Sequence, residues 1–191
     1  MQNKRGISQA FVSQSFSQAL PASTRDVPAS PPKVDVQLRA ATVFDVFEIS
    51  QIMAVSSAQL CQTDPGNASQ HLAQWGSNMT PGDMRDWIAA GHIPTVAVDQ
   101  GRIAGLGHAT GQGQITRLDV APWARGYGVG RALLNHLEAD LAAQGHAEAH
   151  LVASKSGLGF FQTHGWQAAE PVSTCANLQG YEMRKVLQTE R

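Results

Sequence analysis

One segment, residues 115–145, constrains the fold of this chain more than any other, because its pattern changes from strand to helix through a glycine-rich turn. The apolar run at 115–120 predicts a buried strand, and Pro122 ends it because proline cannot donate to a sheet ladder. Leucines and alanines then recur at helical spacing over 132–141, and Gly145 is suited to end that helix. The turn between strand and helix contains three glycines, Gly126, Gly128 and Gly130.

The start of this helix is suited to hold an anion. The first N–H groups of a helix have no partner within it, and the helix dipole makes that end positive. The glycines leave those amides uncovered. Arg131 would lie in the first turn, where the dipole disfavours a cation, and Arg125 lies just upstream. A bound polyphosphate would make both charges favourable, so the segment predicts a phosphate site.

The spacing of the glycines distinguishes between kinds of phosphate site. The dinucleotide pattern GxGxxG fails, because its last position falls on Arg131 when counted from Gly126 and on Leu133 when counted from Gly128. The nucleotide P-loop, GxxxxGK followed by Ser or Thr, is absent as well. An ordinary nucleotide-binding domain is therefore disfavoured. The pattern that is present is Arg-x-x-Gly-x-Gly, formed by Arg125, Gly128 and Gly130 directly after the strand.

This pattern resembles the coenzyme A loop of the GNAT superfamily of acyl-coenzyme A-dependent N-acyltransferases. A second segment, 151–166, is similar to the family's later strand, helix and Gly-aromatic corner, with Phe160-Phe161 in place of the usual Phe-Tyr pair. Residues 181–187 are similar to the family's last strand and residues 36–41 to its first. The resemblance covers roughly residues 35 to 191 and is closest over 115–166.

The resemblance implies an α/β (α+β) fold: a central mixed, mostly antiparallel sheet of six to seven strands, with a splayed parallel central pair and about four flanking helices. The hydrophobic pattern predicts a compatible order of elements. This order is a strand at 35–39, a helix beginning near Thr42, a less regular segment at 61–79, a helix from Thr80 to Gly91, strands at 95–98 and 103–109 around a turn at 99–101, strand 115–120, helix 127–144, strand 148–153, helix 156–164 and two closing strands.

Composition bounds the domain organisation and the partners. Residues 1–34 are rich in Ser, Gln and Ala, so we expect a disordered tail before a single domain at 35–191. The formal net charge of -1, without a basic stripe, disfavours nucleic-acid binding, and no apolar stretch is long enough to cross a membrane. Cys61 and Cys175 lack metal-ligand spacing and suit a reducing compartment. We therefore expect a cytoplasmic monomer or homodimer without a metal.

The resemblance implies acetyl-CoA as the co-substrate. Its pantetheine arm would pair with backbone groups of Leu118 and Val120, and its pyrophosphate would lie on the amides of residues 126–130. The alternative from the residues alone is a tight strand-to-helix turn with solvated arginines. The cofactor-binding residues that the resemblance implies are Leu118, Asp119, Val120, Arg125, Gly126, Tyr127, Gly128, Val129, Gly130, Arg131, Ser156, Phe160 and Phe161.

The implied activity is transfer of an acetyl group to a primary amine of a small molecule or protein, by direct attack in a ternary complex. The tyrosine with which many family members protonate the leaving thiolate is replaced by Phe161, which supplies no proton. The family's base position on the strand before the loop falls at Gln114 or Thr116, neither of which titrates usefully, so a water relay is expected. The alternative function is an acyl-CoA-binding sensor or interaction module with weak or no catalysis.

His108 is the remaining titratable candidate for catalysis, since an imidazole with an ordinary pKa of ~6.5 accepts a proton near neutrality. The alternative is a strand-end histidine exposed to water. Asp119 is assigned no catalytic role, because an acid with an ordinary pKa of ~3.9 is a poor base for an alkylammonium. His150, on the next strand, either faces the cleft or is solvated.

The family's acceptor lies beneath the first two helices and the loop that joins them, which correspond here to residues 44–90. We expect Phe47 and Trp87 of this region to be core residues. Cys61 and Trp75 lie in its less regular segment and are the candidates for lining the acceptor pocket. No cluster of acidic or basic residues in this region identifies the acceptor. The sequence therefore leaves the chemical identity of the acceptor open.

Overall fold

A computed structural model describes residues 35–63, 80–173 and 179–188 of the chain. The predicted tail at 1–34, and with it the domain boundary, lies outside these residues and stays a prediction. The described strands are β1 (Gln37–Ala40), β2 (Thr95–Asp99), β3 (Arg102–Ala109), β4 (Ile115–Val120), β5 (Glu148–Ser154), β6 (Gln167–Ser173) and β7 (Gln179–Val186). The described helices are α1 (Val46–Thr63), α2 (Pro81–Ala89), α3 (Val129–Ala143) and α4 (Leu158–Thr163), with a short 3-10 turn at Pro122–Ala124.

The strands form two antiparallel sheets. The first has the order β1-β2-β3-β4, and the second has the order β5-β7-β6. One parallel bridge between Gln114 and His150 links β5 to the residue just before β4, with the His150 N–H donating to the carbonyl of Gly113 at 3.0 Å. The predicted mixed α/β fold with mostly antiparallel strands is confirmed.

Helix α3 packs against β3 at two glycines. A Cβ atom at Gly105 would lie 2.7 Å from the carbonyl oxygen of Asp119, and one at Gly107 would lie 2.8 Å from Cδ1 of Leu137. Side chains alternate along a strand, so Leu106 and His108 face the other side of the sheet. Trp87 of α2 packs against His108 there. The two faces of the first sheet are thus covered by different helices.

Two hydrophobic clusters form the core, and α3 contributes to both. Val129 and Leu133 belong to the cluster that includes the first sheet and α1, whereas Leu134, Leu137 and Leu141 belong to the cluster of the second sheet and Trp166. Burying a leucine stabilises a fold by about 1.5–3 kcal/mol. The helix that follows the glycine turn is therefore fixed from both sides.

The first helix begins later than predicted. Thr42 does not start α1, because the chain turns there and the Asp45 N–H donates to the Thr42 carbonyl at 3.0 Å. The Ile49 N–H then donates to the Asp45 carbonyl at 3.0 Å, which makes Asp45 the residue that begins the helix. Helix α1 also continues to Thr63, so Cys61 is helical and does not lie in an irregular segment.

Candidate functional site

The turn between β4 and α3 leaves the first amides of α3 without partners in the helix. The first helical hydrogen bond runs from the Ala132 N–H to the Gly128 carbonyl at 3.0 Å. Gly128 is the N-cap residue and, having no side chain, it makes no capping bond. The N–H groups of residues 129–131 are therefore open to an anion, as the sequence predicts.

The three glycines of the turn have different physical roles. Gly126 and Gly128 have φ angles of 80° and 86°, which L side chains rarely adopt, and the space where a Cβ would lie is open. A Cβ at Gly130 would instead lie 3.4 Å from Cζ of Phe160 and 3.5 Å from Cγ2 of Val120. Gly130 therefore permits Phe160 to pack closely on the start of α3.

One edge of β4 has free backbone groups. The Ala121 N–H donates to the Ala104 carbonyl of β3 at 2.9 Å, and the register continues with Asp119 opposite Leu106. Hydrogen-bonded pairs alternate with non-bonded pairs in an antiparallel ladder. The backbone groups of Leu118 and Val120 consequently face away from β3, toward β5, beyond the bridge between Gln114 and His150.

Asp119 and Val129, two of the implied cofactor residues, have buried side chains. The Asp119 carboxylate accepts a hydrogen bond from Nε of Arg117 at 2.9 Å and one from the Ser56 side chain. Burial raises the pKa of Asp119 above its usual value, although the Arg117 charge and these hydrogen bonds oppose the shift. The Val129 side chain is 1% exposed in the core. Only the backbone of Val129 faces the open turn, and Asp119 offers neither its side chain nor its backbone.

The two arginines of the motif are exposed on either side of the turn. Within the described ranges, no ion pair joins Arg125 or Arg131 to another side chain, so both charges face solvent. Tyr127 is exposed between them. Trp123 comes just before the turn. The guanidinium carbon of Arg102, on β3, lies over its ring at 4.5 Å from the centroid. Two exposed cations that pair with no described side chain thus lie in or next to the turn with the open amides.

The second segment of the motif lies at the end of β5. Oγ of Ser154 is 3.1 Å from Oγ of Ser156 and accepts the Gly157 N–H at 3.1 Å, which forms the turn into α4. The rings of Phe160 and Phe161 pack edge to face with their centroids 5.2 Å apart. Phe160 faces the start of α3, and Phe161 is half-buried. The structure thus brings Phe160 to the glycine turn.

His108 is buried, so the alternative of a strand-end histidine exposed to water is wrong. Its ring Nδ1 lies 2.7 Å from Oγ1 of Thr116, and its side chain is 6% exposed. The rings of Trp87 and His92 lie 4.6 Å and 5.8 Å from it. Burial, followed by the proximity of His92, lowers the pKa of His108 below its ordinary value of 6.5. Sequence reasoning missed this environment, because Trp87 and His92 come from another part of the chain.

A family model described as an acetyltransferase (GNAT) domain matches residues 63–187 of the chain. This chain belongs to the GNAT family. The family is one of acetyltransferases, and the match spans β2 to β7 together with the glycine turn. No curated protein sequence matches the chain.

Solved structures of GNAT enzymes share the fold. A GCN5-related N-acetyltransferase from Rhodopseudomonas palustris is 25% identical, with a TM-score of 0.69 over 80% of this chain and 96% of that chain. The PaiA N-acetyltransferase from Thermoplasma acidophilum, in complex with coenzyme A, is 15% identical, with a TM-score of 0.66 over 79% of this chain and 98% of that chain. A phosphinothricin acetyltransferase from Sinorhizobium meliloti, in complex with acetyl-CoA, is 21% identical, with a TM-score of 0.57 over 80% of this chain and 88% of that chain.

The region of this GNAT domain implied to hold the acceptor is only partly described. Phe47 is 60% exposed, so its expected place in the core is wrong, whereas Trp87 packs against the core as expected. The side chain of Cys61 and the whole of Trp75 lie outside the described parts. Both therefore stay predictions as pocket residues.

A shallow pocket that the sequence does not predict lies on the open face of β5 and β7. Its volume is about 260 Å³. His150 and Val152 of β5 and Glu182 and Arg184 of β7 line it, with Gln114 at the bridge to the first sheet. His150 is exposed, so its side chain faces this pocket and solvent.

Among the described residues of this GNAT domain, no group of three or more His, Cys, Asp or Glu side chains is placed to hold a metal ion. No helix in the described ranges is long and apolar enough to cross a membrane.

Proposed function

We propose that this GNAT domain transfers an acetyl group from acetyl-CoA to a primary amine of a small molecule or protein, by direct attack in a ternary complex. One observation carries the proposal: the uncapped amides at the start of α3 lie directly beyond the strand whose edge is free at Leu118 and Val120. The amides suit a pyrophosphate, and the strand edge suits the amide groups of a pantetheine arm.

The remaining contacts follow from this placement. Arg125 and Arg131 would pair with phosphate oxygens, since both are exposed beside the open amides. The backbone of residues 126–130 would hold the pyrophosphate, with Tyr127 at the rim. Phe160 would support the turn by packing on Gly130, and Ser156 and Phe161 would line the far side at the end of β5.

A pair of variants at Gly128 tests the phosphate assignment. Asn and Asp are nearly the same size and both tolerate a positive φ, so Gly128→Asn and Gly128→Asp share the same backbone strain and differ in charge. We expect the Asp variant to bind acetyl-CoA about 100-fold more weakly than the Asn variant, because a carboxylate would repel the pyrophosphate. Calorimetric titration measures both affinities, and circular dichroism checks the fold. Equal affinities would contradict the assignment.

Turnover distinguishes an enzyme from a sensor. We expect the protein to release free thiol from acetyl-CoA in the presence of an amine and to form the corresponding amide, which mass spectrometry detects. Spermidine, tyramine, glycinamide and a peptide with a free amino terminus sample different acceptor chemistries. Binding of acetyl-CoA without thiol release in the presence of any of these amines would favour the sensor. The observation that supports a sensor is the phenyl ring of Phe161 in place of a tyrosine.

A further inference from the structure

A β-bulge lies where β3 meets the start of β4. His108 pairs with Arg117, but the next residue of β3, Ala109, pairs with Ile115, so Thr116 is an extra residue in β4. A bulge changes the direction of the side chains beside it. In this case it brings the hydroxyl of Thr116 to 2.7 Å from the Nδ1 atom of His108. That distance is typical of a strong hydrogen bond.

The imidazole of this pair is held in place by other rings. Trp87 of α2 packs at a tilt of 57°, and His92, from the segment after α2, meets the ring of His108 edge-on at 77°. Within the described ranges, the titratable or charged groups that face His108 are His92 and, opposite it on β4, Arg117, whose charge is paired with Asp119. No described carboxylate is therefore placed to keep His108 charged, and burial lowers its pKa below 6.5, which favours the neutral ring.

The Thr116 hydroxyl connects this buried ring to the open edge of β4. Thr116 is exposed, unlike His108. It lies two residues beyond Gln114, where the link to β5 is made, and two residues before Leu118, where the free backbone edge begins. An amine that attacks a thioester held along this edge would pass close to the hydroxyl.

We propose that Thr116 and His108 form a proton-accepting pair for the acceptor amine, with Thr116 in contact with the amine and His108 receiving the proton through it. This inference rests on the proposed function, because it requires a thioester bound along the edge of β4. It assigns a base to a site where the side chains of β4 alone provide none.

The step balances as follows. The lone pair of the amine nitrogen forms a bond to the acyl carbon while the electron pair of the C–S bond leaves with sulfur. The nitrogen becomes more acidic as this bond forms and passes one proton to Oγ1 of Thr116. With the neutral ring of His108 protonated on Nε2, its Nδ1 is free to accept, and the hydroxyl proton of Thr116 moves there at the same time. The products are an amide, a thiolate, an intact threonine and an imidazolium that returns its proton to solvent.

Three variants and one control test the pair. Thr116→Val keeps the shape of an exposed side chain but removes the hydroxyl, His108→Gln removes the base, and Thr116→Ser restores a hydroxyl. We expect kcat to fall about 100-fold in the first two and to stay within about fivefold in the third, with the Kd of acetyl-CoA unchanged in all of them. His136→Gln, at a histidine of α3 that pairs with Asp140 at 3.3 Å and lies outside the proposed site, should retain full activity.

The pH profile supplies a readout that a structural role would not change. The wild-type kcat/KM should fall as the pH decreases through a value below 6.5, because His108 must be neutral to accept a proton. The His108→Gln variant should lack this fall. Wild-type kcat and an unchanged acid limb in Thr116→Val and His108→Gln would overturn the pair but leave the proposed function in place. A wild-type protein that binds acetyl-CoA but acetylates none of the four amines would overturn both.

Discussion

At the scale of single residues, Asp45 shows how one carboxylate organises the entry into a helix. It accepts two hydrogen bonds from the guanidinium of Arg39 at 2.7 and 2.8 Å, and one from the Thr42 N–H at 2.7 Å. The Arg39 hydrogen bonds are the main cause that lowers the pKa of Asp45 from 3.8 to about 2. The carboxylate therefore favours the folded chain whenever it is ionised.

We expect Asp45→Asn to lower the free energy of unfolding at neutral pH by about 1 kcal/mol, which is less than the pKa shift alone implies because Arg39 is half-exposed. Since the folded pKa lies below the ordinary value, the contribution is complete above 3.8 and is lost as the pH falls toward 2. Urea unfolding at about pH 7 and about pH 3 measures the effect. The exposed Asp86→Asn is the control, and equal losses in the two variants would contradict the prediction.

Residue roles were predictable where they depend on near neighbours in the sequence. Thr80 begins α2 as predicted, where it forms a capping box with Asp83, and Gly91 follows the end of α2 with a φ of 90°. The surroundings of His108 were not predictable, because they depend on rings that come from α2 and the segment after it. Phe47 has helical spacing typical of a core residue but is 60% exposed, since periodicity does not show which helix face is covered.

At the scale of elements, the contact between β3 and α3 positions the glycine turn. A Cβ at Gly105 would lie 2.7 Å from a backbone oxygen of β4, 3.1 Å from Cδ1 of Leu133 and 3.2 Å from Cγ1 of Val129. A backbone atom cannot move aside as a flexible side chain can. Any side chain at Gly105 must therefore shift β4 or α3, the two elements on either side of the turn.

We expect Gly105→Ala to destabilise the fold by about 1–3 kcal/mol, as overpacked core positions do. We also expect it to weaken acetyl-CoA binding, since the start of α3 would move relative to the edge of β4. Gly111→Ala is the matched control, because its Cβ meets nothing within 4 Å and its φ is not positive. Urea unfolding and calorimetric titration measure the two effects. The prediction fails if the two variants are equally stable.

The edge of β4 gives a second prediction at this scale, which hydrogen exchange tests residue by residue. The amides of Leu118 and Val120 face away from β3, whereas those of Asp119 and Ala121 are paired with it. Saturating acetyl-CoA should slow exchange at Leu118 and Val120, because the pantetheine arm would accept or cover these N–H groups. Asp119 and Ala121 should change little. An equal change at all four amides would indicate general stabilisation without a ligand along this edge.

Elements with strong local signals were predicted closely. Strand β4 has the predicted bounds, and the turn at 99–101 joins β2 to β3 with positive φ at Gln100 and Gly101, as a tight hairpin requires. The start of α1 was wrong by several residues. The Asp45 carboxylate does accept hydrogen bonds from Thr42, but it also binds the guanidinium of Arg39 on β1, and the chain turns at 42–45 before the helix begins. The contact with Arg39 joins two elements, and the pattern of one element does not contain it.

At the scale of the whole molecule, the fold class followed from the resemblance of two spaced motifs, and the family match supports it independently. The division into two sheets, with one parallel bridge between them, could not be predicted from periodicity. The pattern of a strand is the same whichever partner it has. The bulge at Thr116 could not be predicted for the same reason, since it exists only in the register between β3 and β4.

Glu138 of α3 joins three parts of the molecule through one carboxylate. Its Oε1 accepts the indole N–H of Trp166 at 2.8 Å, and its Oε2 accepts Nζ of Lys185 on β7 at 2.6 Å. Lys185 also donates to the carbonyl of His164, at the end of α4, at 2.8 Å. Because Trp166 is 3% exposed, its N–H has little access to water.

We expect Glu138→Ala to lower the free energy of unfolding by about 2–4 kcal/mol, because it leaves a buried N–H donor and a half-buried ammonium without their acceptor. Asp140→Ala is the matched control on the same helix, since Asp140 is 50% exposed and pairs with His136 at 3.3 Å in solvent. We expect that variant to stay within about 0.5 kcal/mol of the wild type.

The double variant tests whether the carboxylate acts through Lys185. Lys185→Met should lower the free energy of unfolding much less in the Glu138→Ala protein than in the wild type, because the two side chains share one interaction. Urea unfolding of the four proteins and the double variant measures this coupling, and additive losses would show that the carboxylate does not connect α3 to the second sheet through Lys185.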